Sequence, residues 1–215
     1  MSLLLVDFDG PLVRLLPDPE HVELARRLAH WCAERTEDPL PGPAVDHVQV
    51  LREIHVRHPA LATDADELAT AAELVAAQTR PAYPHAIDTL HAWLDGGGRV
   101  AVVSNNAEEA VRRVVRGAGL RDEVTIHARR ADRLGALKPR PDVLRWAMAA
   151  HRTPPAGAVM IGDTTGDVRA GTAAGVPTIG IAESPERAAE LRGSGAVATV
   201  GRLADLLSFG AGSSG

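Results

Sequence analysis

The sequence predicts an α/β fold, a mostly parallel sheet covered by helices and interrupted by a helical insert. Three observations carry that expectation. Short β-branched runs recur along the chain, Ala-rich segments of helical length separate the later ones, and residues 15–80 contain no strand-like run. The runs are "LLLV" (3–6), "RVAVV" (99–103), "EVTIH" (123–127), "AVMIG" (158–162), "TIGIA" (178–182) and "AVATV" (196–200). Their near-continuous apolar character suits strands buried on both faces. Helices are expected over 107–117, 141–151 and 167–175. A core of residues 1–14 and 81–209, an insert of 15–80 and a disordered tail of 210–215 ("GAGSSG") follow.

Within the insert, Asp18 and Pro19 read as the N-cap and first turn of a helix reaching about Glu34, with Leu24, Leu28 and Cys32 on one face. "DPLPGP" (38–43) breaks it, and a second helix is expected from Ala44 to about His58, ended by Pro59. Thr63 with Asp66 resembles a capping box opening a third, whose Leu68, Ala72 and Val75 share a stripe. Pro81 and Pro84 close the segment.

Composition bounds the function. A formal net charge of −5 argues against general nucleic-acid affinity. One cysteine, Cys32, excludes an internal disulfide, and no Cys/His spacing reads as a zinc site. The apolar N-terminal run is short and has no basic flank, so no signal peptide is expected, and no stretch is long enough to cross a bilayer. A cytoplasmic protein is the expectation.

Polar residues of one kind then converge. Asp7 and Asp9 follow the first strand, Ser104 the second, and Asp163 the fourth, so all reach the C-terminal edge where parallel sheets bind ligands. Gly10, Gly162 and Gly166 beside them permit close backbone approach to an anion. Converging carboxylates repel unless a cation intervenes, and a few hard oxygen ligands suit Mg²⁺. Lys138, in "LGALKPRPD", supplies a second positive charge.

These residues form four motifs in order: "DFDGPL", "VVSNN", "LKPRPD" and "IGDTTGDVRAGTAAGV". In them the chain resembles the haloacid dehalogenase-like (HAD) hydrolase superfamily, phosphoglycolate-phosphatase-like branch, over about 1–14 and 81–205. The resemblance implies a Rossmann-like core with a small α-helical cap, and a Mg²⁺-dependent phosphatase acting on a small phosphorylated metabolite. By the same likeness Asp7 is the nucleophile and Asp9 the general acid and base. Asp7, Asp9 (through its carbonyl), Asp163 and Asp167 hold the metal, while Gly10, Ser104, Asn105 and Lys138 bind the phosphoryl group. A phosphomutase shares every core residue, and a non-catalytic phospho-ligand-binding protein is the alternative from another class. A dehalogenase is disfavoured because that branch lacks an acid at the position of Asp9. The cap, with about three helices, is smaller than is common in the branch, which implies a more open site. Pro11 departs from the Thr or Val usual there.

Other residues carry plainer readings. Ser104 and Asn105 also suit an N-cap for the helix beginning near Ala107. Arg14 suits a substrate-anion contact or a simple salt bridge. His55 and His58 flank a helix end, Trp31, Trp93 and Trp146 are packing residues, and the basic stretches 112–121 and 129–133 form a solvated face. Monomer and homodimer both stay open.

Overall fold

The structure is a computed structural model that describes residues 2–120 and 123–209. The tail expected to be disordered therefore lies outside the described residues, as does Arg121. Six strands form one parallel sheet in the order β3-β2-β1-β4-β5-β6. They are β1 (Leu3–Val6), β2 (Arg99–Ala107), β3 (Val124–Arg129), β4 (Ala158–Gly162), β5 (Thr178–Ile181) and β6 (Ala198–Val200). All six expected strands are present in this Rossmann-like sheet. β2 runs longer than expected, through the second motif, with a register shift between Val103 and Ala107.

β1 is central. Leu3 pairs with Arg99 and Ala158, and Val6 with Val102 and Ile161. Its side chains alternate between two hydrophobic layers, as strand geometry requires. Leu4 and Val6 join Val100, Val102 and Leu90 on one face. Leu3 and Leu5 join Ala101, Val103, Leu144 and Met160 on the other. The first layer is covered by α4 (Pro84–Asp95) and α5 (Glu108–Gly117), the second by α6 (Asp142–Ala150) and α7 (Thr165–Ala174). α8 (Pro185–Gly193) and a short α9 (Leu206–Phe209) complete the chain.

Three helices, α1 (Glu20–Ala33), α2 (His47–Arg57) and α3 (Ala62–Ala76), lie between β1 and α4. The connections in and out run side by side. Tyr83 donates its amide to the Leu12 carbonyl (2.8 Å), and the Arg80 guanidinium donates to the Leu15 carbonyl (2.6 Å). Leu24, Leu28 and Cys32 are buried on α1, as the periodicity predicts.

Other local expectations need correction. Pro19, not Asp18, occupies the N-cap of α1 and makes no side-chain cap; Asp18 instead lies 3.5 Å from His21. α2 starts three residues later than Ala44, because Asp46 caps it by accepting from the amides of Val48 and Gln49. α3 has no Thr63 capping box: a 3₁₀ turn over Pro59–Leu61 leads straight into it. The stripe on α3 is also rotated. Leu68 and Val75 are exposed, whereas Ala62, Ala65, Asp66, Ala69, Glu73 and Ala76 are buried. Two acids on that face override apolar periodicity because Arg129 waits opposite them. Arg129, read above as part of a solvated basic face, is buried and paired with Asp66 and Glu73.

Leu90 is fully buried where α4 meets the sheet. Leu90→Ala is expected to cost about 2–5 kcal/mol from lost burial and the residual cavity. A urea midpoint lowered by less than about 1 kcal/mol-equivalent would mean that this layer collapses freely.

Candidate active site

The site sits where the sheet order reverses, between the C-terminal ends of β1 and β4. The amide of Asp7 donates to the Ile161 carbonyl (2.8 Å), extending the β1–β4 ladder by one residue and fixing where Asp7 points. The chain then turns tightly: the amides of Leu12 and Val13 donate to the Phe8 carbonyl, and that of Gly10 to Val13. Pro11, with no N–H, stands where this turn uses none. Gly10 has φ +104°, and a Cβ there would run into the Asp163 carboxyl, so only glycine lets β1 and β4 present acids this closely. Asp9 turns its carboxylate back to accept from the Leu15 amide (3.0 Å).

Thr164 after Asp163 caps α7 in a reciprocal capping box with Asp167. Asp167 is thus both a first-turn residue and a buried acid, and a Cβ on Gly162 would strike its carboxylate. Lys138 joins the two sides. Its Nζ donates to Asp7 Oδ1 (2.6 Å) and the Val103 carbonyl (3.0 Å) and lies 2.7 Å from Asp167 Oδ1. The Asn105 side chain holds the lysine's backbone at both ends, accepting from its amide (2.8 Å) and donating to its carbonyl (3.0 Å). Arg52 from α2 donates to the same carbonyl (2.8 Å).

Burial governs the electrostatics. It pushes Asp7 well above the usual carboxylate range, with the Asp167 charge adding and Lys138 opposing. Asp9 is raised by burial too, against the Leu15 amide. Asp163 is pushed up to about 7 by burial and by the charges of Asp167 and Asp9. Burial opposes the charge on Lys138, yet Asp167 and Asp7 outweigh it and hold the ammonium above the ordinary lysine range. One ammonium thus serves several acids. Carboxylate oxygens of Asp7, Asp163 and Asp167 lie within 4.8 Å of one another, and Asp163 Oδ1 is buried with no hydrogen-bond partner. An all-oxygen donor set with excess negative charge and an orphaned acceptor fits a divalent metal ion. The Asp9 side chain is not part of that triad.

A cavity of about 460 Å³ opens over these groups. Asp7, Asp9, Asn105, Lys138, Asp163 and Asp167 line it, with His47 and Arg52 from α2 overhead. Gly10 faces an adjoining cavity with Arg14 and Asp163. Ser104 is buried, its hydroxyl donating to Asn106 Oδ1 and accepting from the Asn106 amide. Neither Ser104 nor Asn105 caps α5, whose N-cap is Ala107. Arg14 lines the cavity and also lies 3.9 Å from Glu183. The sequence reading does not single out Asn106, Arg52, Glu73 or Arg129. Only the acids set into the alanine face of α3, at Asp66 and Glu73, give a signal for the last of these.

A family profile described as haloacid dehalogenase-like hydrolase matches residues 1–175. A phosphoglycolate phosphatase of Rhodospirillum rubrum is 31% identical over 189 residues, 80% of this chain and 76% of that one. A hydrolase from Pseudomonas syringae superposes with a TM-score of 0.76 at 18% identity, over 100% of this chain and 99% of that chain. A mutant form of CbbY of Rhodobacter sphaeroides, in complex with xylulose-(1,5)-bisphosphate, gives 0.68 at 21% identity over 96% of each. The resemblance drawn from the four motifs is borne out. No helix among the described residues is long and apolar enough to cross a membrane.

Asp163 yields a pH signature in metal-free protein. Its native value of about 7 lies above the ordinary unfolded value of about 4, so the native state binds the extra proton between them. Stability from this group is therefore lost as pH rises through that window. In EDTA, wild type is expected to lose Tm relative to Asp163→Asn as pH rises from about 4 to about 7, and saturating divalent metal should abolish that relative loss. Parallel Tm profiles of the two proteins in EDTA would contradict it.

Proposed function

This chain belongs to the haloacid dehalogenase-like hydrolase family, and from that premise we propose that it is a phosphatase. It hydrolyses a phosphomonoester of a small molecule through an aspartyl-phosphate on Asp7. The observation that carries this reading is Lys138, buried between Asp7 and Asp167 beside Asp163 at the ligand edge of the sheet.

In this reading an Asp7 carboxylate oxygen attacks phosphorus and the bond to the substrate's oxygen breaks. Asp9, whose raised value favours the protonated form, gives its proton to the departing alkoxide. It then takes a proton from the water that attacks the aspartyl-phosphate, which releases inorganic phosphate and restores the Asp7 carboxylate. Lys138 stays charged throughout, orients Asp7 and offsets negative charge gathering on the phosphoryl oxygens. The phosphoryl oxygens are assigned to the Asn105 amide, Lys138 and Gly10, and to the Ser104 hydroxyl once it turns from Asn106. Mg²⁺, held by Asp7, Asp163 and Asp167 with the carbonyl of Asp9, would supply further neutralisation of phosphoryl charge. The Rhodospirillum rubrum relative's name puts 2-phosphoglycolate first on a panel of small phosphorylated acids and sugars.

Purified protein is expected to release phosphate from p-nitrophenyl phosphate with Mg²⁺ and not in EDTA, and Asp7→Asn should abolish turnover. Asp9→Asn should slow alkyl phosphates at least about tenfold more than the aryl phosphate, whose leaving group needs no proton. Turnover by Asp7→Asn, or equal loss on both substrate types in Asp9→Asn, would sink the respective role. Isomerised phosphate ester without free phosphate would mark a mutase instead.

A further inference from the structure

Behind the active-site wall lies a second buried charge cluster that the mechanism above does not use. Its centre is Glu73 on α3, fully buried, whose carboxylate accepts from four groups. His47 Nε2 (3.0 Å) and Asn106 Nδ2 (3.3 Å) meet one oxygen; the Ala107 amide (2.6 Å) and Arg129 (2.7 Å) meet the other. Arg129, at the end of β3, spreads its fork over three partners: Glu73, Asp66, and through Nε the Asn105 carbonyl (2.9 Å). Burial alone would raise Glu73, but Arg129, His47 and the Ala107 amide outweigh it and hold the carboxylate at about 2.

The contacts follow a pattern. Three consecutive residues at the end of β2, Asn105, Asn106 and Ala107, each give one polar group to this cluster. Ala107 is the N-cap of α5 and has no side chain to satisfy an end amide, so Glu73 takes that role from another element. The end of β2 leading into that helix carries Asn105, which grips the backbone of Lys138, and Lys138 orients Asp7. A carboxylate on an inserted helix thus reaches the nucleophile through three links, Glu73 to the end of β2, Asn105 to Lys138, and Lys138 to Asp7.

We propose that Glu73 and Arg129 form a clasp between the inserted helices and the end of β2, and act as positioning residues for Asn105 and the Lys138 it holds. The proposal rests on the phosphatase reading and adds a part to it. A surface ion pair at this place would be worth little, whereas a buried, multiply hydrogen-bonded one fixes geometry and is costly to break on one side only. Glu73→Gln keeps the volume but turns an NH₂ toward groups that are themselves donors, orphaning at least one of the Ala107 amide, Asn106 and His47. Arg129→Lys keeps the charge and loses the planar fork that reaches three acceptors at once.

The test separates positioning from stability. Steady-state kinetics with p-nitrophenyl phosphate, inhibition by orthovanadate, and hydrogen exchange at the Ala107 amide are measured for wild type, Glu73→Gln and Arg129→Lys. Leu90→Ala, buried in the sheet layer away from the site, serves as a control of comparable instability. Both clasp variants are expected to lose roughly tenfold or more in kcat/KM, and vanadate inhibition should weaken by a similar factor. Ala107 exchange should accelerate at least about tenfold in Glu73→Gln, and the control should stay within about threefold of wild type in kcat/KM. If Glu73→Gln does not fold, Arg129→Lys carries the same comparison. An active wild type with clasp variants inside that threefold band, or a control that loses as much as they do, overturns the clasp alone. A wild type inert toward every phosphate overturns the phosphatase reading and the clasp with it.

Discussion

The constraint on which the site depends is the placement of one ammonium among buried carboxylates. Asp7 ends a strand buried on both faces, and Asp167 is buried at the start of α7. Burial and the nearby charge of Asp167 together drive Asp7 toward protonation. Lys138 makes their closeness tolerable, and its own burial is tolerable for the same reason. That reciprocity explains why the lysine is held so firmly, its backbone gripped by Asn105 and Arg52 and its head by Val103 as well as the acids. A lysine free to swing would leave the acids uncompensated and push Asp7 still further from the ordinary carboxylate range.

Glycine sets how close these groups come. At Gly10 and Gly162 a single methyl group would displace Asp163 and Asp167 respectively, so the sheet edge is built around missing side chains as much as around those present. The excess negative charge that remains, with an orphaned Asp163 oxygen, is the signature of a place that expects a cation from outside the chain.

Much of this was legible in the sequence, for identifiable reasons. Strands buried on both faces announce themselves as short apolar runs, and the residue following such a run must lie at the sheet edge, so Asp7 and Asp163 are located by arithmetic along the chain. Lys138 is found through its motif and not by periodicity, since Asp7 lies 131 residues away and Asp167 belongs to a separate motif. The inserted helices were readable only in outline. Their caps failed at Asp18 and Thr63 because a capping residue and a first-turn residue look alike in sequence. The face of α3 was misjudged because apolar periodicity weighs Leu68 and Val75 above alanine, while the actual burial is decided by Arg129 on a distant strand. A buried ion pair joins residues that no local pattern connects.

The two connections to the insert lie against each other, joined from Tyr83 to Leu12 and from Arg80 to Leu15. Seen from the sheet, the insert hangs from a narrow double stalk, an arrangement that lets such a segment be lengthened, shortened or replaced without disturbing the strands. In this chain Arg129 limits that freedom. A foreign insert lacking acids at the positions of Asp66 and Glu73 would leave a guanidinium sealed under it with no countercharge. Arg129 therefore ties the identity of the insert to that of the core, because its buried charge is matched only by acids the insert brings.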